Sequence, residues 1–150
     1  MIYASEYIYT ATFDATTTPK KIRINKLNTE LENVWAQTGV ALTPENDQRN
    51  VFLVDLGGVG VGCFWSESRS FLSGFDIFFQ SLNPDGDPQL SSGGITVAES
   101  NGDDYIQAVI PAPDGISFLI FWVEEVWPAS RLKYNSCLLY TSPSPRDDEL

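Results

Sequence analysis

The stretch Ile77-Phe78-Phe79-Gln80-Ser81-Leu82-Asn83 lies over Ile22-Arg23-Ile24-Asn25-Lys26-Leu27-Asn28 when the chain is slid against itself by 55 residues. The match runs without a gap from residues 22–46 onto 77–101. Gly39 falls on Gly94, Val40 on Ile95, Leu42 on Val97 and Asn46 on Asn101, so apolar spacing and turn glycine recur together. Further along the offset becomes 57, which places Gly58, Val59, Phe64 and Trp65 on Gly115, Ile116, Phe121 and Trp122. Two extra residues around Pro111 to Pro113 are the expected source of the shift. Recurrence at such a period is what an array of like supersecondary units produces.

Each unit reads as four short strands. Residues 51–54 are a brief apolar run closed by the turn cluster Asp55, Leu56, Gly57 and Gly58. Residues 59–65 then alternate, with Val59, Val61, Cys63 and Trp65 on one face and Gly60, Gly62 and Phe64 on the other, the period of two expected of a strand. Residues 66–74 are expected as a loop, 75–82 as an aromatic-rich strand, 83–88 as a turn, and 95–98 as a fourth strand after Gly93 and Gly94. The one helix-like stretch, 29–35, aligns with the proline- and glycine-bearing turn at 84–90, so the repeat overrides its local propensity.

A unit of this size cannot bury both faces by itself. The predicted fold is therefore all-β: β-propeller-like blades of four short antiparallel strands, about two and a half units. The divisions are a partial first blade at 1–50, a complete blade at 51–105, a truncated blade at 106–136 and a tail at 137–150. A β-sandwich is the alternative, because its strands also come at short spacing, although it has no reason to repeat a residue pattern at constant offset.

Composition removes several function classes. Of the 150 residues, 43% are hydrophobic, ample for a core, and 9 Lys and Arg stand against 20 Asp and Glu, a net charge of -11 that repels phosphate backbones and anionic bilayers. Nucleic acid is excluded as an expected partner. With no histidine, Ser-His-Asp and Cys-His catalysis and His-ligated zinc fall away. The longest apolar run, 118–123, is far short of the roughly 20 residues that span a bilayer, so no membrane insertion is expected. Met1, Ile2 and Tyr3 open without the basic segment and apolar run of a secretory signal.

Residues 137–147, Cys-Leu-Leu-Tyr-Thr-Ser-Pro-Ser-Pro-Arg-Asp, resemble the translation of a transposase-type sequencing adapter, codon for codon. Residues 137–150 are accordingly read as adapter-derived rather than native, with no part in the core. Cys63 is then the single native cysteine, a Cys63–Cys137 disulfide is not inferred, and Cys63 reads as a small buried hydrophobe.

A second resemblance is carried by Gly-Phe-Asp-Ile-Phe-Phe-Gln-Ser-Leu-Asn-Pro-Asp-Gly-Asp-Pro-Gln (74–89), Gly-Gly-Ile-Thr-Val (93–97), Pro-Asp-Gly (113–115) and Phe-Leu-Ile-Phe-Trp-Val-Glu-Glu (118–125). This ordered set, over about residues 21–125, resembles the propeller-like repeats of large secreted bacterial surface proteins. Phe78 and Phe79 stand where those repeats carry Tyr-Ala. The resemblance implies an extracellular or cell-surface scaffold and supplies no catalytic residue.

The polar constellations read mostly as structure. Asn83-Pro84-Asp85-Gly86-Asp87 spaces oxygen ligands as a calcium loop would, but Pro88 and Gly94 stand where that loop needs glycine and an acid, so a hairpin turn is expected and no metal. Asn101-Gly102-Asp103-Asp104 reads as a solvated acidic turn. Glu67, Glu124 and Glu125 follow Trp65 and Trp122 at strand ends, where a repeated structural hydrogen bond or a solvated loop is expected and solvent holds them ionised. Lys20, Lys21, Arg23 and Lys26 read as a solvated basic face. Trp35, Phe71, Tyr105 and Trp127 are the candidate ligand-contact aromatics, able to stack on sugar faces.

The functional expectation is a non-catalytic propeller-repeat segment of a secreted or cell-surface bacterial protein, for adhesion, scaffolding or carbohydrate or protein binding, with no cofactor. Its partners are further blades of the same parent protein and a glycan or surface protein. The alternative is a fragment of a propeller glycoside hydrolase of the sialidase-like kind.

Overall fold

The computed structural model describes residues 1–4, 6–14, 16–36, 38–43, 46–70 and 74–138. Eleven strands among them form three antiparallel sheets. The first holds β1 (Ile2–Ala4), β2 (Tyr7–Asp14), β3 (Lys21–Leu27) and β4 (Val40–Ala41). The second holds β5 (Asp47–Asp55), β6 (Val61–Ser70), β7 (Gly74–Leu82) and β8 (Ile95–Ala98). The third holds β9 (Asp103–Pro111), β10 (Ser117–Val126) and β11 (Ala129–Leu138). Within each sheet every strand pairs with its neighbour in sequence, so each is a meander. The chain is all-β, its sheets packed face to face as in propeller blades and in sandwiches alike.

The second sheet is covered on both sides, and strand alternation decides which residue goes where. Val61, Cys63 and Trp65 of β6 join Tyr9, Ile22 and Ile24 of the first sheet in one core. Phe64 of β6 and Ile77 and Phe79 of β7 join Ile106, Phe118, Ile120 and Trp122 of the third sheet in the other. The predicted faces of residues 61–65 are those observed. Val59 departs from them: Gly57–Val59 is a 3-10 turn and Gly60 stands at φ +129°, so Val59 is half-exposed and the strand begins at Val61. A side chain at Gly60 would meet the Leu82 carbonyl, which is why glycine is needed there.

The 55-residue repeat is present in the hydrogen bonds. In the first sheet the Asn28 N–H donates to the Glu32 carbonyl at 3.0 Å and the Glu32 N–H donates to Asn28 Oδ1 at 2.8 Å; in the second, Asn83 and Asp87 make the same pair at 3.0 and 2.8 Å. Gly39 donates to Ala36 and Gly94 to Ser91, each at 2.8 Å, with φ of +68° and +77°. A Cβ at either would collide with a carbonyl of the adjoining third strand, of Ile24 or of Phe79. Leu31 occupies the left-handed position that Gly86 fills in the next unit.

The ladders also correct the source of the later offset. Gln48 faces Glu67 across β5 and β6, and Asp104 faces Glu124 across β9 and β10, so first strands are related by 56 residues and second strands by 57. One extra residue therefore enters before β9 and one in the β9–β10 turn, rather than both around Pro111 to Pro113. The expected loop at 66–74 is also shorter: β6 stays paired to β5 through Ser68 and to β7 at Ser70, because Glu67 has partners inside the fold. Cys137 stands opposite Phe118, next to the last pair of the β11 ladder, and packs against the second core, so the expectation that residues 137–150 stay out of the core fails at that position. Its apolar side chain falls on the inward beat of the strand. Residues 139–150 lie outside the described residues.

Candidate functional site at the sheet seams

Where the first and second sheets meet, Glu67 is wholly buried and collects donors from a continuous set of neighbours. Its Oε2 accepts from Trp65 Nε1 at 2.7 Å, Thr43 Oγ1 at 2.8 Å and Gln48 Nε2 at 3.1 Å. Its Oε1 accepts from Asn46 Nδ2 and from Arg69 Nε, both at 2.8 Å. Gln48 in turn accepts the Ile22 N–H of β3 at 2.7 Å, which ties the carboxylate to the first sheet, and Gln48 Nε2 also donates to Thr43. Burial pushes the Glu67 carboxyl up, but the hydrogen bonds from Trp65, Gln48, Thr43 and Arg69 outweigh it and hold the group below the usual carboxylate range. Arg69 also lies 3.6 Å over the Phe78 ring. Glu67 is thus ionised, as expected, but by internal donors and not by solvent.

The second-to-third seam repeats the positions and changes the chemistry. Trp122 stands for Trp65 and Glu124 for Glu67, but Asp104 replaces Gln48, Ala98 replaces Thr43 and Val126 replaces Arg69. Three of the five donors, those of Gln48, Thr43 and Arg69, are gone. Asp104 is wholly buried and neither carboxyl oxygen has a hydrogen-bond partner. Burial raises its pKa to about 6, the Glu124 and Asp76 carboxylates add to the rise, and Ser100 and the Trp122 indole, close but outside hydrogen-bond geometry, oppose it. The expectation of a solvated acidic turn at 101–104 therefore fails at Asp104. The extra residue before β9 puts Asp104 on the inward beat of the strand beside Ile106. Glu124 pairs with Lys133 Nζ at 3.4 Å.

Lys26 departs from the solvated basic face for a similar reason. It is buried, donates to the Pro84 carbonyl at 2.8 Å and lies 4.0 Å over the Tyr7 ring. Cys63 is a free, buried thiol whose pKa burial alone drives upward, the behaviour of a packing residue.

The four candidate aromatics are in different settings. Trp35 donates to the Pro84 carbonyl at 3.0 Å, meets the Tyr9 ring at 5.7 Å and lies beneath Gly86. Tyr105 pairs with the Phe75 ring at 5.7 Å, and Arg49 lies 4.4 Å over Phe75 on its other contact. Trp127, in the β10–β11 turn, is 94% exposed. Phe71 lies outside the described residues. No two of Trp35, Tyr105 and Trp127 are brought into ring contact.

A cleft of about 630 Å³ runs across β1, β5 and β9, lined chiefly by Ile2, Leu53, Leu56, Val109, Pro111 and Phe118. Its polar groups are few, and Asp55 within it already accepts the Gly57 N–H at 2.7 Å. Among the described residues no group of three His, Cys, Asp or Glu side chains could hold a metal ion, and no helix is long and apolar enough to cross a membrane. No protein-family model, curated protein or solved structure matches the chain. Sequence reasoning singled out Glu67 and Glu124, but missed Gln48 and Asp104; the ladder positions opposite those two glutamates were the signal.

Proposed function

We propose that this chain is a non-catalytic segment of a propeller-like repeat protein of a secreted or cell-surface bacterial kind, serving adhesion or scaffolding through loops and aromatic surface. The supporting observation is that both seams use the same packing at a 55–57-residue spacing: aromatic and aliphatic residues of one sheet meet an alternating apolar–apolar–tryptophan face of the next. A repeated unit supports extended surfaces more readily than a unique reaction centre. Trp127 supplies the exposed ring for a sugar face or a partner protein. Residues 137–150 belong to this reading as adapter-derived sequence.

The propeller glycosidase is the second reading, favoured by one observation: Asp104 and Glu124 are a facing carboxyl pair of which one is raised to about 6, the split that general acid catalysis uses. Against it, Asp104 is closed to solvent and the 630 Å³ cleft is lined by other residues. On a glycan and surface-protein array the chain is expected to give a weak signal that Trp127→Ala removes, and a glycosidase and esterase screen is expected to be blank. Hydrolysis lost in a folded Glu124→Gln variant would reverse the assignment.

A further inference from the structure

The third sheet has one covered face and one open face, and the open face repeats a surface that is core one sheet earlier. In the second sheet Phe64 and Phe79 pair across β6 and β7 with ring centroids 4.5 Å apart, and Val54 and Ile77 flank them, all buried against the third sheet. The same ladder positions of the third sheet hold Phe121 and Tyr134, paired at 6.3 Å, with Ile110 for Val54 and Leu132 for Ile77. Here Tyr134 is 75% exposed, Leu132 70% and Ile110 45%. Residues of this type are rarely left as a contiguous patch unless something covers them.

The outward face of the first sheet differs. Strand alternation places Thr10, Thr12, Arg23 and Asn25 along most of it, opposite the beat of the buried Tyr9, Ile22 and Ile24, with Tyr3, Ile8 and Leu27 as one apolar row at its end. Head-to-tail stacking of copies would set this polar face against Phe121 and Tyr134.

We propose that the open face of the third sheet, centred on Phe121, Leu132 and Tyr134, is a docking surface for a further antiparallel sheet of the same repeat, one that presents two apolar residues and a tryptophan at alternate positions of its second strand. That is the face which β6 turns to the first sheet (Val61, Cys63, Trp65) and β10 turns to the second (Phe118, Ile120, Trp122), so the proposed contact continues an interface already made twice. It rests on the repeat reading above and adds to it the identity of the partner face.

The test is a chain in which residues 82–138 are appended a second time after Ser136, which supplies a fourth strand and a copied third sheet in register. Tyrosine nitration with mass-spectrometric readout is expected to modify Tyr134 readily in the original 150-residue chain, and at least fivefold more slowly at the first copy of Tyr134 in the extended chain. Aspartate in place of the appended copy's Trp122 and Phe118 is expected to restore the faster nitration. Unchanged nitration in an extended chain whose circular dichroism shows the added strands would overturn the proposal. So would a Tyr134 already protected in the original chain by a dimer in solution, which would assign the face to a second copy. Should the appended segment not fold, the original chain decides: it is expected to bind an apolar dye severalfold more strongly than its Leu132→Asp, Tyr134→Asp variant, and equal dye binding sinks the docking face. A blank glycan array beside a protected Tyr134 would remove the adhesive role and leave the docking surface standing.

Discussion

Glu67→Ala is expected to destabilise the chain by about 3–5 kcal/mol, the cost of breaking a buried charged network by removing one member. The size follows from what is left behind. Trp65 Nε1, Thr43 Oγ1 and Gln48 Nε2 all point at the lost carboxylate from buried positions, and each unsatisfied buried donor costs about 1–3 kcal/mol. Arg69 keeps its contacts to the Gly93 carbonyl and the Phe78 ring. Gln48 also receives the Ile22 N–H, so the disturbance reaches the first sheet. Urea denaturation followed by tryptophan fluorescence measures the loss; a change under about 1 kcal/mol would mean that the network is an ornament of the fold and not its fastening.

The second large effect depends on pH and has the opposite sign. Asp104 has its folded-state pKa raised from 3.8 to about 6, so the folded chain holds this proton more tightly than the unfolded chain does. The contribution of the protonated group is complete below about pH 4 and is lost as pH rises through about 6, leaving a penalty at pH 7 of roughly 2–3 kcal/mol. Asp104→Asn removes the charge and offers Glu124 a donor, so this variant is expected to be more stable than the parent at pH 7 by about 2 kcal/mol. The gap should narrow by about half between pH 7 and pH 5 and close only below about pH 4.

The groups around Asp104 do not cancel this. Glu124 from β10 and Asp76 from β7 are acidic, Asp76 is itself raised mainly by burial, Lys133 is engaged with Glu124, and Arg49 of β5 is engaged with Asp47 at 3.1 Å. Glu67 runs the other way: its lowered pKa contributes stability above the ordinary carboxylate range that disappears as acid protonates it. The two seams therefore respond oppositely to acid, and stability should peak on the acid side of neutrality, near the unfolded carboxylate values at about pH 4. Parent and Asp104→Asn curves that run parallel from pH 7 to pH 5 would contradict the assignment.

What could be read in advance was local. Gly39 and Gly94 mark places where the backbone takes positive φ against a carbonyl, and Asn28 and Asn83 mark turns closed by their own side chains; both pairs lie at constant spacing in the chain. The alternation of Val61 to Trp65 disclosed which residues enter which seam. The burial of Glu67 was not legible, because its donors Thr43, Asn46 and Gln48 come from a different stretch of chain and meet it only after β5 pairs with β6. Asp104 was missed through a single inserted residue, since a shift of one in a strand moves a side chain from solvent to core. Trp35 reads as an exposed ring in sequence, yet its indole caps a carbonyl 49 residues away. The candidate site is thus written across the sheets, and the sequence shows it only where the repeat brings like positions into line.

The central claim is that one packing unit recurs through the stack, with equivalent residues buried at both seams and exposed at the open face. Hydroxyl-radical footprinting of the 150-residue chain, read residue by residue, addresses it in one experiment. Phe64, Phe79, Trp65 and Trp122 are predicted to be protected, while Phe121 is labelled measurably and Tyr134 and Trp127 strongly. Labelling of Trp122 on a par with Trp127, or protection of Tyr134 to the level of Phe79 in the monomeric chain, would contradict the account.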